Sequence, residues 1–345
     1  MNENFFEIGG HSLMAVRLIF TIRTKLGFDL PLDIIIEAPT VRGMARFIEE
    51  SRSEDARANL PDCLLSIQPS GSNRPFFCVH PAGGSPLCYL NLASHLGRKR
   101  PFYGFQSPGL FDNREPLRRV DDIAAVYADA IRKVQPVGPY LLGGWSSGGP
   151  VAFEVARVLE KQNERVGLLA FFDCGLMYSD MPARNWNPRN PINVLKAVGV
   201  LLTFAWQIGV PRSYAQLRGL AQFVGISLPP SIHEILRRDF SSKLNFLRTF
   251  KSEVSRAIRV FNANTLAGLK YEPRPYSGTA TLFRAASSHL DGPDPVLDDL
   301  RKFAVGGVEH HSVGGNHMSI ILDPNDSKAL AQKLGECLDR AEIPK

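Results

Sequence analysis

Cysteine is scarce in this 345-residue chain. Cys63, Cys78, Cys88, Cys174 and Cys337 make an odd number, with no C-x-x-C pair and no His-rich neighbourhood. That pattern argues against a disulfide framework or a zinc site and reads as the reduced thiols of a cytoplasmic protein. Long apolar runs are also missing. No stretch reaches the length of a membrane span, and the start, Met1-Asn2-Glu3-Asn4, has neither the basic nor the apolar region of an export signal. The basic cluster Arg98-Lys99-Arg100 sits in no nucleic-acid motif and reads as a loop exposed to water. Neither a membrane nor a nucleic acid is an expected partner.

The residues that are present supply a large core. The hydrophobic fraction is 44%, and the length allows one big domain and an extra piece. The net charge of +6 is concentrated, with fourteen Lys or Arg against five Asp or Glu over residues 176–276. This excess reads as a solvated helical surface or as a docking face for an acidic partner or phosphate-bearing arm.

Apolar spacing predicts helices over residues 12–26 and 40–50, then a polar stretch over 51–59 and a turn-rich one over 68–75. The pattern then alternates. Short apolar runs at 76–79, 102–105, 140–142, 166–172, 279–283 and 308–313 read as strands, with helices predicted at 120–134, 149–161 and 326–341. Such alternation implies a mostly parallel sheet covered on both faces, an α/β fold. About a hundred residues, 176–276, interrupt it with a mostly helical pattern and read as a lid.

One motif carries the chemistry. Gly144-Trp145-Ser146-Ser147-Gly148 joins an apolar strand to a helix, which is the context a G-x-S-x-G nucleophile elbow demands. Ser146 has glycine on both sides at spacing two, whereas Ser147 would face Trp145, so Ser146 reads as the nucleophile. A serine needs a base and an orienting carboxylate, and α/β-hydrolases place them in the order Ser, acid, His. His317, in Gly314-Gly315-Asn316-His317, follows the last strand and is the candidate base. His95, His233, His289, His310 and His311 read as structural histidines. Asp173 ends a buried strand and is favoured as the acid, while Asp291 and Asp294 remain candidates in a turn-forming sequence. Backbone donors for an oxyanion would come from Ser147 and from Ala82, the first residue with an N–H after Pro81 in His80-Pro81-Ala82-Gly83-Gly84.

A second motif lies near the start. Asn4-Phe5-Phe6-Glu7-Ile8-Gly9-Gly10-His11-Ser12-Leu13, followed by Glu37-Ala38-Pro39-Thr40-Val41-Arg42, resembles the attachment site of a carrier domain from a nonribosomal peptide synthetase. The His80-Pro-Ala-Gly-Gly84, Gly143-Gly-Trp-Ser-Ser-Gly-Gly149 and Gly314-Gly-Asn-His317 motifs together resemble the type I thioesterase that ends such synthetases. The resemblance implies a partial all-α carrier over 1–54, a linker and first strand region over 55–74, and an α/β-hydrolase thioesterase over 75–345. It implies 4'-phosphopantetheine on Ser12 and no metal. It favours Asp173, because the acid in these thioesterases follows the strand after the nucleophile helix. The implied partners are acyl or peptidyl carrier domains, upstream synthetase modules and a phosphopantetheinyl transferase. The implied reaction releases an acyl or peptidyl chain through Ser146, to water or by cyclisation, in nonribosomal peptide or hybrid polyketide biosynthesis. Two other readings fit: a stand-alone editing thioesterase or acyl-CoA hydrolase, and a catalytically silent protein that docks carriers.

Family carriers are four-helix bundles whose first helix precedes the attachment motif, and only eleven residues precede Ser12 here. Weak or absent phosphopantetheinylation of Ser12 is therefore predicted. A stoichiometric mass gain on incubation with a phosphopantetheinyl transferase would refute it.

Overall fold

The structure is a computed structural model that describes residues 3–5, 7–8, 18–19, 21–22, 25–28, 30, 34–50, 60–110, 112, 114–177, 256–288 and 294–342. Seven strands form one sheet: β1 (Leu64–Gln68), β2 (Phe76–Val79), β3 (Phe102–Phe105), β4 (Tyr140–Trp145), β5 (Val166–Phe172), β6 (Ala280–Ala285) and β7 (Val308–Val313). Their order is β1-β3-β2-β4-β5-β6-β7. Every pairing is parallel except β1 with β3 at the edge. The chain leaves β2 for β3 on one side and returns to β4 on the other. The crevice beyond the carboxyl ends of β2 and β4 is thus a topological switch point, where α/β sheets present their sites.

Alternation within the central strands splits the core in two. Tyr140, Leu142, Leu169 and Phe171 point to one face, where they pack with Ile123 and Tyr127 of helix Val120–Val134 and Phe153 and Val155 of the elbow helix Gly148–Lys161. Leu141, Trp145, Leu168 and Phe172 point to the other, against Leu92 of helix Leu90–Leu96 and Leu334 and Leu338 of the C-terminal helix Pro324–Glu342. Each fully buried side chain of this size contributes about 1.5–3 kcal/mol. Both faces of the sheet are covered, as the alternating pattern implied.

Two departures from the sequence reading have clear causes. Arg100 is not in a water-exposed loop. It is 7% exposed, and its guanidinium donates to Glu342 at 2.6 Å and to the carbonyl of Arg74 at 2.7 Å, pinning the end of the C-terminal helix. Helices Leu90–Leu96 and Pro295–Phe303 were not legible as periodic stretches because each is short. The lid reading falls mostly on 178–255, outside the described residues, but its return arm includes helical residues 256–269.

Near the start, the described residues between 18 and 26 are helical and helix Val41–Glu50 follows, with Thr40 Oγ1 accepting from the Gly43 amide. Ile19, Leu30, Ile34, Ile35 and Met44 form a small core that is completed by Leu65 of β1 and by Leu87. The two sequence regions therefore share buried surface. All five cysteines are free and buried. No helix among the described residues is long and apolar enough to cross a membrane.

Candidate active site

Ser146 stands between the end of β4 and the elbow helix with φ at 55°, the left-handed region that non-glycine residues seldom adopt. Such a conformation costs on the order of 1–3 kcal/mol and persists only where its surroundings impose it. Here they do. A Cβ on Gly144 would lie 2.4 Å from the carbonyl oxygen of Gly148, and one on Gly148 would lie 2.5 Å from that of Val79. Only hydrogen fits at either position, so strand, turn and helix close tightly enough to raise the half-buried serine at the crest.

Asp173 follows β5 directly, also at positive φ, 49°. Its Oδ2 accepts from His317 Nδ1 at 3.0 Å and from Ser288 Oγ at 2.8 Å. Its Oδ1 accepts from the Ala285 amide at 3.0 Å and from Arg284 at 2.8 Å. Burial would push this carboxyl up, but the His317 bond, the Ala285 amide and the Arg284 charge together hold it below the usual carboxylate value. The other acids are placed differently. Asp294 pairs with Arg284 Nε at 3.0 Å and caps helix Pro295–Phe303 by accepting from the Val296 amide, while Asp291 lies outside the described residues.

The His317 ring is thereby oriented. Carboxylate and carbonyl oxygens can only accept, so Nδ1 carries the proton, which leaves Nε2 as the basic nitrogen. Trp145, next to the serine, donates from its indole to the His317 carbonyl at 3.0 Å, and the two rings sit 5.5 Å apart. The base loop is thus seated beside the elbow.

The candidate oxyanion donors lie just beyond the ends of the two strands flanking the switch point, Ala82 in the loop after β2 and Ser147 at the N-cap of the elbow helix. Neither the Ala82 nor the Ser147 amide donates to another backbone carbonyl among the described residues. Asn264, on the return arm of the insert, donates to the Ala82 carbonyl at 3.0 Å and so holds the Ala82–Gly83 peptide. His80 holds the preceding peptide, the one that carries the Ala82 amide. Its Nδ1 donates to the Pro81 carbonyl at 2.8 Å, so its Nε2 accepts from the Tyr127 hydroxyl at 2.7 Å. Burial pushes the His80 imidazole down to about 4, and its hydrogen bonds only partly offset this, so it is neutral at pH 7.

His311 takes no part, being stacked on Phe283 and 2.9 Å from Glu309. Ligand-type atoms of Glu309, His311 and Cys337 lie within 4.8 Å of one another, but Arg340 donates to both Glu309 and Cys337 and holds the place a cation would take. Ser12, His233 and His289 lie outside the described residues. Arg284, Ser288 and Asn264 escaped the sequence reading because no motif spacing marks them, and Trp145 stands in the elbow motif only as its variable position.

Residues 74–203 match the Thioesterase domain family and residues 1–48 match the Phosphopantetheine attachment site family. The chain thus carries, in this order, a segment similar to phosphopantetheine attachment sites and one similar to thioesterase domains. Its relatives are nonribosomal peptide synthetases. Malpinin synthetase of Mortierella alpina is 44% identical over 181 residues, which is 52% of this chain and 2% of that protein. A dimodular nonribosomal peptide synthase of Bacillus subtilis is 44% identical over 173 residues, 50% of this chain and 7% of that one. The chain therefore spans a small part of each. Among solved structures, a four-domain nonribosomal peptide synthetase bound to AMP and glycine aligns with 99% of the chain, and 24% of itself, at TM-score 0.61 and 23% identity. The NocB thioesterase domain aligns over 81% of this chain and 98% of its own at TM-score 0.54 and 19% identity. At these identities the likeness is one of fold, and it matches the α/β-hydrolase architecture of the thioesterase domain.

The buried neutral His80 makes a pH prediction. An unfolded histidine titrates at its ordinary 6.5, so between 6.5 and about 4 the unfolded chain binds a proton that the native state refuses. Stability falls by roughly 3 kcal/mol as pH drops through that window, at 1.36 kcal/mol per unit. Urea midpoints measured across it show the slope, and His80→Gln flattens it. Below it, protonation of Asp173, whose folded-state value is depressed, removes a further contribution.

Proposed function

We propose that this chain releases an acyl or peptidyl chain from a phosphopantetheine carrier, by hydrolysis or cyclisation, as the last step of a nonribosomal peptide or hybrid polyketide assembly. The observation that carries the reading is the Asp173–His317 pair, 3.0 Å apart, seated beside a strained elbow serine in a chain whose first 48 residues match a phosphopantetheine attachment site. The substrate class is the thioester between an acyl group and the pantetheine thiol.

Each residue has one task. Ser146 Oγ attacks the thioester carbonyl while its proton passes to His317 Nε2, and the oxyanion takes hydrogen bonds from the Ala82 and Ser147 amides. Collapse breaks the C–S bond, and His317 returns the proton to the departing sulfur. Water or a nucleophile on the bound chain then attacks the Ser146 ester with its proton passing to His317, and the second collapse frees Ser146. Asp173 stays ionised throughout and steadies the imidazolium. Ser12 is the residue that would hold a phosphopantetheine arm, whose chemistry is a terminal thiol that carries the acyl group. In this reading residues 1–54 are a partial carrier, 55–74 the linker and first strand region, and 75–345 the thioesterase with its lid at about 176–276. The expected partners are upstream modules and a phosphopantetheinyl transferase, in the cytoplasm.

Turnover of synthetic acyl-pantetheine thioesters, followed by thiol release and product mass, tests this directly. Ser146→Ala abolishes release and the acyl-enzyme seen by intact mass, and Asp173→Asn lowers kcat by about 10⁴-fold. A preference for acyl-CoA over carrier-bound thioesters favours an editing role. No acyl-enzyme from any thioester marks a docking protein.

A further inference from the structure

Tyr89 sits where two halves of the site meet. It ends the 3-10 helix Pro86–Tyr89, which follows the His80–Gly84 loop, and its side chain is fully buried. Its hydroxyl donates to the Val79 carbonyl at 2.6 Å and accepts from the Trp145 amide at 3.1 Å. Val79 is the last residue of β2 before the loop that carries Ala82, and Trp145 is the last of β4 before Ser146. Val79 opposite Gly144 is also the final register pair of these strands, beyond which they part to opposite sides of the switch point.

We propose that Tyr89 is a positioning residue that fixes the distance between the oxyanion donor of Ala82 and the oxygen of Ser146. Two atoms on diverging strands are held by one hydroxyl, so neither strand end moves without the other. The same Val79 carbonyl lies close against Gly148, where a Cβ would fall 2.5 Å from its oxygen. The loop is closed as well, because Tyr89 at its exit bonds Val79 at its entrance, ten residues earlier. The ring is wedged between Phe102, centroids 6.1 Å apart, and Phe172, 6.4 Å apart, so the hydroxyl cannot swing away. An oxyanion hole works only when its donors lie at hydrogen-bond distance from where the charge develops, and a shift of about 1 Å costs on the order of a hundredfold.

This inference rests on the thioesterase reading. Its test is Tyr89→Phe in the full chain, assayed on an acyl-pantetheine thioester beside Leu334→Ala, which removes packing from the same core layer and leaves Tyr89, its ring neighbours and its hydroxyl in place. The expected result is that Tyr89→Phe lowers kcat by about tenfold to a hundredfold with KM within about twofold. Hydrogen exchange at the Trp145 amide then speeds up, and the pH dependence of kcat keeps its shape, because the His317–Asp173 pair is untouched. Leu334→Ala lowers the unfolding midpoint with little change in kcat. Replacing Tyr89 with 4-aminophenylalanine, which retains a donor and a lone pair, restores at least half of the activity, and this arm stands even where Tyr89→Phe does not fold. Parent-like kcat in Tyr89→Phe, or equal losses in Leu334→Ala, overturns the proposal. A parent chain with no turnover and no acyl-enzyme overturns the thioesterase reading itself, which is a separate outcome.

Discussion

The whole site depends on one close approach: the first turn of the elbow helix lies so near the end of β2 that no side chain fits between them. Gly148 faces the carbonyl oxygens of Val79 and His80, where a Cβ would fall 2.5 and 2.9 Å away. This contact sets the height of Ser146 over the sheet and the direction in which the chain leaves β2. The strain at Ser146 is sustained by the core on either side, since Tyr140 and Leu142 of β4 are locked into one layer and Leu141 and Trp145 into the other. A strand anchored on both faces can hold a turn that an isolated loop would relax.

Asp173 shows how a buried charge is kept ionised. Taking a carboxylate out of water is costly unless hydrogen bonds and an opposite charge replace the lost solvation. Four donors do so here, and Arg284 divides its charge between Asp173 and Asp294. Asp294 in turn caps a helix, so the orientation of the carboxylate rests on the packing of helix Pro295–Phe303. The alternative acid is thus part of the structure that steadies the favoured one.

The elbow was legible because backbone proximity leaves glycine as the sole solution, and such positions are visible in sequence. Chain order and the strand ends gave His317 and Asp173 as candidates for the same reason, since parallel strands place their carboxyl ends on one edge. Arg284, Tyr89 and Asn264 were not legible. Each acts through a contact between residues far apart in sequence, 111 positions for Arg284 with Asp173 and 182 for Asn264 with Ala82, and nothing local records it. Arg100 misled for a related reason. A cluster of three cations looks solvated until the C-terminal helix supplies Glu342 and Asp339 beside one of them.

The insert is tied down where it leaves and where it returns. The Leu176 and Met177 amides donate to buried Asp299 at 2.6 and 2.8 Å as the chain departs from β5. On the return, the Tyr271 hydroxyl donates to buried Glu154 at 2.8 Å, and Arg157 donates to the Pro275 carbonyl at 3.0 Å. Both Glu154 and Arg157 belong to the elbow helix, and their charges are paired at 2.7 Å. The return arm also brings Asn264 to the Ala82 carbonyl and Val260 against Gly84. The elbow helix therefore has two contacts with the machinery above the sheet, Ser146 at its start and the insert's return arm along its length. A displacement of that arm reaches the Ala82 peptide through one hydrogen bond. The return arm, the Ala82 loop and Ser146 are thus linked through one helix.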